Sequence, residues 1–316
     1  MSQVRPLVSV VIPTFNRLKH LKAAVTSVLE QTKADWEMVI ADDGSAEETR
    51  EFLRSLEDPR IRTLWLPHSG NPSRVRNAAI RHAQGRYLAF LDSDDRWDPR
   101  KLEVQLGALQ ADPGRRWSYS AIERIDEQGL PMSDEGIARW VPHEGKIVEE
   151  LLKIEAFVAT PAVVAERSLV EEAGGFDEEQ WFGEDYDLWI RLAMLSEVGV
   201  VSERLAFVRD RGDSYSRNRI GAHVGWVRLY RKVAGTLPDP RLRALAKRRG
   251  AECSLRLAGL QADARQRLAA LRTVLAAGPL SWTYPGWAKE AAKMLIRAGL
   301  PERMLSAFRR LRGPGL

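Results

Sequence analysis

The string Leu91-Asp92-Ser93-Asp94-Asp95 sets three carboxylates within four positions, directly behind the apolar run 87–91. Carboxylates this close repel one another, and a cation held between them relieves the repulsion. Oxygen ligands at such spacing suit a hard ion, Mg²⁺ or Mn²⁺. The same string also reads as a solvated loop ahead of a helix start at Asp98-Pro99. The residues alone leave both readings open. A second acidic pair, Asp42-Asp43, precedes Gly44-Ser45, where ordinary turn chemistry is the commoner explanation. A third, Glu184-Asp185, follows the aromatic residues Trp181 and Phe182. Acids there favour a helix N-terminus, and a carboxylate in that place can also serve as a proton acceptor.

The surrounding pattern says what must position these groups. Short apolar runs at 8–12, 36–41, 61–66 and 87–91 predict buried strands. Leu18, Leu21, Val25, Val28 and Leu29 recur at helical spacing, and 47–56 reads as a second helix. A third helix, with Ser73 as its cap, carries Arg74, Arg76 and Asn77 on its first turns. Strand–helix alternation of this kind demands a parallel sheet, with the polar residues gathered at its C-terminal edge. No glycine-rich phosphate loop is present. A nucleotide held here would need carboxylates for its base and ribose, and a metal for its phosphates. Further on, 117–122 predicts another strand, 126–129 and 174–178 predict turns, and Leu188, Ile190, Leu192 and Leu195 form the inner face of the helix opened by Glu184-Asp185.

With 316 residues the chain accommodates one large α/β domain and an appendage. Its net charge of +5 hides an asymmetry. Residues 221–316 hold 19 basic and 5 acidic residues, a balance of +14, which leaves 29 basic and 38 acidic residues, or −9, in 1–220. Helices are expected at about 222–235, 239–260, 262–277 and 285–299. A last one beyond Pro301 has Met304, Leu305, Phe308 and Leu311 against Arg303, Arg309, Arg310 and Arg312, a pattern that fits either packing on its neighbours or lying on a membrane surface. Trp282, Tyr284 and Trp287 cluster rather than interleave with arginine along a groove, which argues against nucleic acid as a partner. The single cysteine, Cys253, excludes an intrachain disulfide. With no apolar leader at residues 1–6 and no run of about 20 apolar residues, a cytoplasmic location is expected.

The strings VSVVIPTFNR, VIADDGS, RNAAIRHAQGRYLAFLDSDD and GGFDEEQWFGEDYDLWIRL, in this order, resemble the inverting nucleotide-sugar glycosyltransferases of family 2 over residues 7–217. The resemblance implies a GT-A fold: a Rossmann-like, mostly parallel α/β sheet flanked by helices, over residues 1–220, with 221–316 as a basic, mostly helical C-terminal region. It implies transfer of a sugar, with inversion, from a nucleotide donor (a UDP-sugar is expected) to an acceptor hydroxyl in cell-surface polysaccharide or glycolipid assembly. A saccharide or a lipid-linked saccharide would be the acceptor, and the basic tail could add peripheral contact with the inner face of the plasma membrane. Transfer onto polyprenyl phosphate, and an inactive nucleotide-sugar-binding protein, are the alternatives.

Residue by residue, the resemblance puts Pro13 and Phe15 against the nucleobase, Asp43 on a base N–H with Asp42 beside it, and Arg76 on the diphosphate. Asp92 would meet the ribose or a metal-bound water, and Asp94 would ligate Mg²⁺ or Mn²⁺. Asp185 would be the general base, ionised at neutral pH if it titrates near its reference value of about 3.9. Trp181 and Glu184 would face the acceptor. One departure stands out: where many relatives have a histidine, this chain has Arg211. Arginine cannot ligate a cation, but its planar fork suits phosphate oxygens, so Arg211 is expected on the donor diphosphate.

Overall fold

The computed structural model of the protein describes residues 5–133, 140–212, 218–277 and 286–297. The chain divides into two compact units, Met1–Gly212 and Asp213–Leu316, the division falling ahead of the expected border at 220.

The first unit is built on one eight-stranded sheet in the order β3-β2-β1-β4-β7-β6-β8-β5. Strands β1 (Val8–Thr14), β2 (Trp36–Asp42), β3 (Ile61–Trp65) and β4 (Tyr87–Phe90) run parallel. Helices α1 (Leu18–Leu29), α2 (Glu47–Arg54) and α3 (Pro72–His82) connect them. β1 and β2 are almost wholly buried, which is why they read as continuous apolar runs and not as alternating ones. The exceptions are instructive. Ser9 and Glu37 are buried side by side, 2.6 Å apart, and receive the backbone N–H groups of Gly85 and Gln84. A Cβ on Gly85 would lie 2.5 Å from the Ser9 nitrogen, so only glycine admits this close approach ahead of β4.

The remaining strands mix directions within the mostly parallel sheet that was expected. β7 (Val163–Glu166) pairs antiparallel with both β4 and β6 (Arg115–Ile125). β8 (Glu197–Arg209) runs parallel to β6 through several register shifts, and the two-residue β5 (Arg96–Trp97) closes the edge antiparallel to β8. Helix α4 (Lys101–Ala111) follows β5; α5 (Val148–Lys153), α6 (Arg167–Glu172) and α7 (Glu184–Leu195) complete the unit. The cap of α3 is Asn71, not Ser73: its side chain accepts from the Arg74 N–H, Pro72 takes the first helical position, and Ser73 lies inside the first turn.

The second unit is helical: α8 (Arg219–Thr236), α9 (Pro240–Asp263), α10 (Arg267–Ala276) and a helix over Trp287–Arg297. Its small-residue core includes Ala251, Leu255, Ala258, Ala270, Val274, Trp287 and Ala291. Among the described residues no helix is long and apolar enough to cross a membrane. Trp282, Tyr284 and the basic stretch at 301–312 lie outside the described residues.

Candidate active site

A cleft of about 250 Å³ opens at the C-terminal edge of β1, β2 and β4, lined among others by Pro13, Phe15, Arg17, Asp43, Arg76, Asp92 and Asp94. The loops after β1 and β2 are locked together. Asn16, at a positive φ of 52° that asparagine tolerates, donates its N–H to Ser45 and accepts from the Ala46 N–H. This holds Phe15 flat against His68, with ring centroids 4.1 Å apart and 22° between planes. Phe15 keeps 40% of its surface exposed, so an aromatic face is open to a planar ligand.

The two carboxylates at the end of β2 have separate duties. Asp43 lines the cleft and accepts from the N–H and hydroxyl of Ser69 and from the Gly70 N–H, at 2.8 to 2.9 Å. Asp42 does not line it: fully buried, it accepts from the Ser45 N–H and pairs with Arg50. The expected donor contact of Asp42 is therefore replaced by a turn-forming one, because its alternation in β2 turns it away from Asp43.

Arg76 ties the cleft together. It is 6% exposed, and its guanidinium donates to Asp92 at 2.6 Å and to Glu184 at 3.1 Å. Burial works against its charge, but Asp92, Glu184 and Asp185 more than offset this and hold it protonated above its ordinary range. One residue of α3 thus joins the turn after β4 to the start of α7. Neighbouring contacts reinforce the connection: the Asn77 side chain brackets the Phe176 backbone, and Asn71 donates to the Glu178 carbonyl.

Asp185, on the first turn of α7, accepts from the Tyr186 N–H at 2.8 Å and weakly from the Thr160 hydroxyl at 3.5 Å. Burial, and next the charge of Glu184, push its carboxyl up to about 7. Its carboxyl thus lies well above the reference value expected from sequence. A stability consequence follows from the sign of the shift. Below the ordinary value of 3.8 the carboxyl is neutral in both folded and unfolded chains; between 3.8 and about 7 the unfolded chain ionises while the folded one stays neutral, so this contribution to stability is lost over that window and constant above it. Asp185→Asn cannot ionise, so its melting temperature should gain on wild type from about pH 4 to about pH 7 and hold that gain above. A difference that stays constant across a pH series of thermal melts would contradict this.

The carboxylates after β4 are all engaged. Asp94 pairs with the Arg211 Nε at 2.9 Å, and Asp95 accepts from the Arg209 N–H at 2.8 Å. Burial, then the charge of Asp92, raises the pKa of Asp94 despite Arg211; burial, then Asp94, raises Asp95 further. Among the described residues no group of three or more His, Cys, Asp or Glu side chains is arranged to hold a metal. A hard ion needs only one or two carboxylates when phosphate oxygens supply the rest, so Asp94, on the cleft wall, still fits that role. Arg211 is absent from that wall and reaches Asp94 instead. Trp181 is 47% exposed on the loop before α7.

Two neighbours of the site were not singled out from sequence, Arg17 and His68, whereas Thr160 lies in the segment 159–164 that resembles the family's acceptor side. Arg17 stands two residues beyond Phe15, and that position was its only signal; His68 is joined to the site by a tertiary contact alone.

The family described as Glycosyl transferase family 2 matches residues 9–170. An uncharacterized glycosyltransferase of Rickettsia bellii is 33% identical over 208 residues, 66% of this chain and 29% of that protein. The Escherichia coli UDP-Glc:alpha-D-GlcNAc-diphosphoundecaprenol beta-1,3-glucosyltransferase WfgD is 30% identical over 196 residues, covering 62% of this chain and 73% of that one. The chain therefore spans under a third of the first relative and about three quarters of the second. The crystal structure of S. aureus TarS 1–349 in complex with UDP-GlcNAc shares the fold, with a TM-score of 0.66 and 17% identity over 96% of this chain and 92% of that one.

Proposed function

The chain belongs to glycosyl transferase family 2 and has the GT-A fold, and from that premise we propose that its cleft binds a nucleotide sugar and passes the sugar, with inversion, to an acceptor hydroxyl. The observation that carries this reading is Arg76, which joins Asp92 on the donor side to Glu184 beside Asp185. Donor-binding groups and a basic carboxylate are thereby fixed in one frame.

In this reading the nucleobase lies on Phe15, with Pro13 beside it. Asp43, already oriented by Ser69 and Gly70, accepts a base N–H. Arg17 and Arg76 face the diphosphate, and Asp92 the ribose. Asp94 would hold Mg²⁺ or Mn²⁺, which when bound neutralises charge on the leaving diphosphate. Asp185 accepts the acceptor's proton as the new bond forms, and its pKa of about 7 suits a base working near neutrality. One carboxylate base and in-line attack give inversion, with no second carboxylate as nucleophile. Trp181 offers an exposed aromatic face to the acceptor.

A UDP-sugar donor and a lipid-linked saccharide acceptor are favoured by the likeness to WfgD, and assembly of cell-surface polysaccharide or glycolipid is the corresponding role. A thermal-shift screen of nucleotide sugars with Mn²⁺ or Mg²⁺ tests the reading, because a bound donor raises the melting temperature by mass action. Stabilisation by one donor above its free sugar supports it; an unchanged melt with every donor overturns it. The +14 balance of residues 221–316 extends the proposal to peripheral attachment at the cytoplasmic face of the membrane. Each Lys or Arg near anionic lipid contributes about 1 kcal/mol, screened by salt. Sedimentation should show binding to anionic vesicles that fades at high salt; equal recovery with neutral vesicles would contradict it.

A further inference from the structure

Each carboxylate of the Asp92–Asp95 turn meets an arginine from another part of the chain. Asp92 takes the Arg76 guanidinium at 2.6 Å, and Asp94 takes Arg211 at 2.9 Å. Asp95 accepts the Arg209 N–H, while the Arg209 Nε donates to the Asp94 carbonyl at 2.9 Å. Arg17 lines the same cleft and adds its field to Asp94. A turn that reads in sequence as an uncompensated acidic cluster is thus close to neutral in the folded protein.

We propose that Arg211 is a resident counter-ion of Asp94 that keeps the cleft from holding a divalent cation by itself, so that an ion enters only together with a nucleoside diphosphate. A divalent ion on Asp94 would stand within a few ångströms of the Arg211 guanidinium, which is 7% exposed and therefore poorly screened by water. The guanidinium can neither lose its proton nor turn a lone pair to the ion. Arg76, held by Asp92 and Glu184, is not available to release Asp92 as a substitute ligand without leaving buried charge unpaired. A diphosphate reverses the balance, because it brings negative charge and hard oxygen ligands of its own. Binding of ion and diphosphate then become mutually dependent, each raising the affinity of the other by the same factor. The second half of this proposal rests on the donor reading given above; the first half concerns the metal alone.

Mn²⁺ binding, followed by the loss of the free-ion paramagnetic resonance signal, tests it without any turnover. Wild type, Arg211→Met, Arg211→Lys and the double variant Arg211→Met/Asp94→Asn are titrated with Mn²⁺ alone, and wild type again in the presence of UDP or GDP. Arg211→Met should bind Mn²⁺ at least about tenfold more tightly than wild type, since a like charge has been removed from contact. Arg211→Lys, which restores the charge, should return to wild type, and the added Asp94→Asn should abolish the gain. Equal affinity in wild type and Arg211→Met, or an Arg211→Lys variant that behaves like Arg211→Met, overturns the proposal. Should Arg211→Met fail to fold, wild type decides, after subtraction of the Mn²⁺ that the nucleotide binds without protein: protein-bound Mn²⁺ affinity equal with and without nucleoside diphosphate overturns it, and a gain of about tenfold or more with one of them supports it. Calorimetry with UDP and GDP separates the two readings. If neither nucleotide binds, the donor reading fails, while the comparison of Arg211 variants with the metal alone still stands.

Discussion

Replacing Asp185 with asparagine is expected to lower turnover by about 10²–10⁴, with donor affinity nearly unchanged. The variant keeps the shape of the neutral carboxyl and its contact with the Tyr186 N–H, so α7 and the cleft should survive. What it loses is the ability to accept a proton. Wild type should also show a rising limb in kcat near pH 7, because only the ionised fraction of Asp185 is a base. The sign is fixed by the environment: burial and Glu184 favour the neutral form, so activity is lost on acidification well above the usual carboxylate range. Wild-type turnover in Asp185→Asn on an identified acceptor would remove the assignment. A profile flat down to pH 5 would remove the shifted pKa but not the residue.

The second large effect is expected at Arg76. Arg76→Met is close in size, yet it strands Asp92 and Glu184, whose partner is gone, with side chains only 26% and 16% exposed. Breaking one side of a buried ionic group costs about 3 kcal/mol or more, and a melting curve should register it directly. The same change should move the kcat limb to higher pH, because the positive charge of Arg76 is one of the influences holding Asp185 down. Unaltered melting together with an unaltered profile would show that Arg76 neither braces the cleft nor acts on Asp185. A drop in stability with an unmoved profile would leave it as a brace alone.

Much of the cleft after β1, β2 and β4 was legible in the residues. Four apolar runs that end in polar residues fix four parallel strands and the edge where Phe15, Asp43, Asp92 and Asp94 gather. Glu184-Asp185 at a helix start was equally plain. The antiparallel insertion was less so. β8 mixes Glu197, Ser202, Glu203 and Arg204 with its apolar residues and shifts register against β6, so it lacks the clean period of either a buried or an amphipathic strand. Asp42 and Asp43 look alike in sequence, and only the strand's alternation and the position of Arg50 separate a turn anchor from a cleft residue. The pairing of Asp94 with Arg211 joins positions on different strands' ends, and the pKa of Asp185 depends on what covers it. Both are products of tertiary burial, which local pattern does not encode.

In the proposed function, one carboxylate base at the start of α7 directs in-line displacement at the anomeric carbon of a nucleotide sugar. The most direct measurement is a proton NMR time course on the donor that most stabilises the protein, with water as acceptor. Release of nucleoside diphosphate is expected together with a first-formed sugar of the opposite anomeric configuration to the donor, before mutarotation mixes the two. Asp185→Asn should suppress its formation. A first-formed sugar that keeps the donor's configuration would contradict the claim.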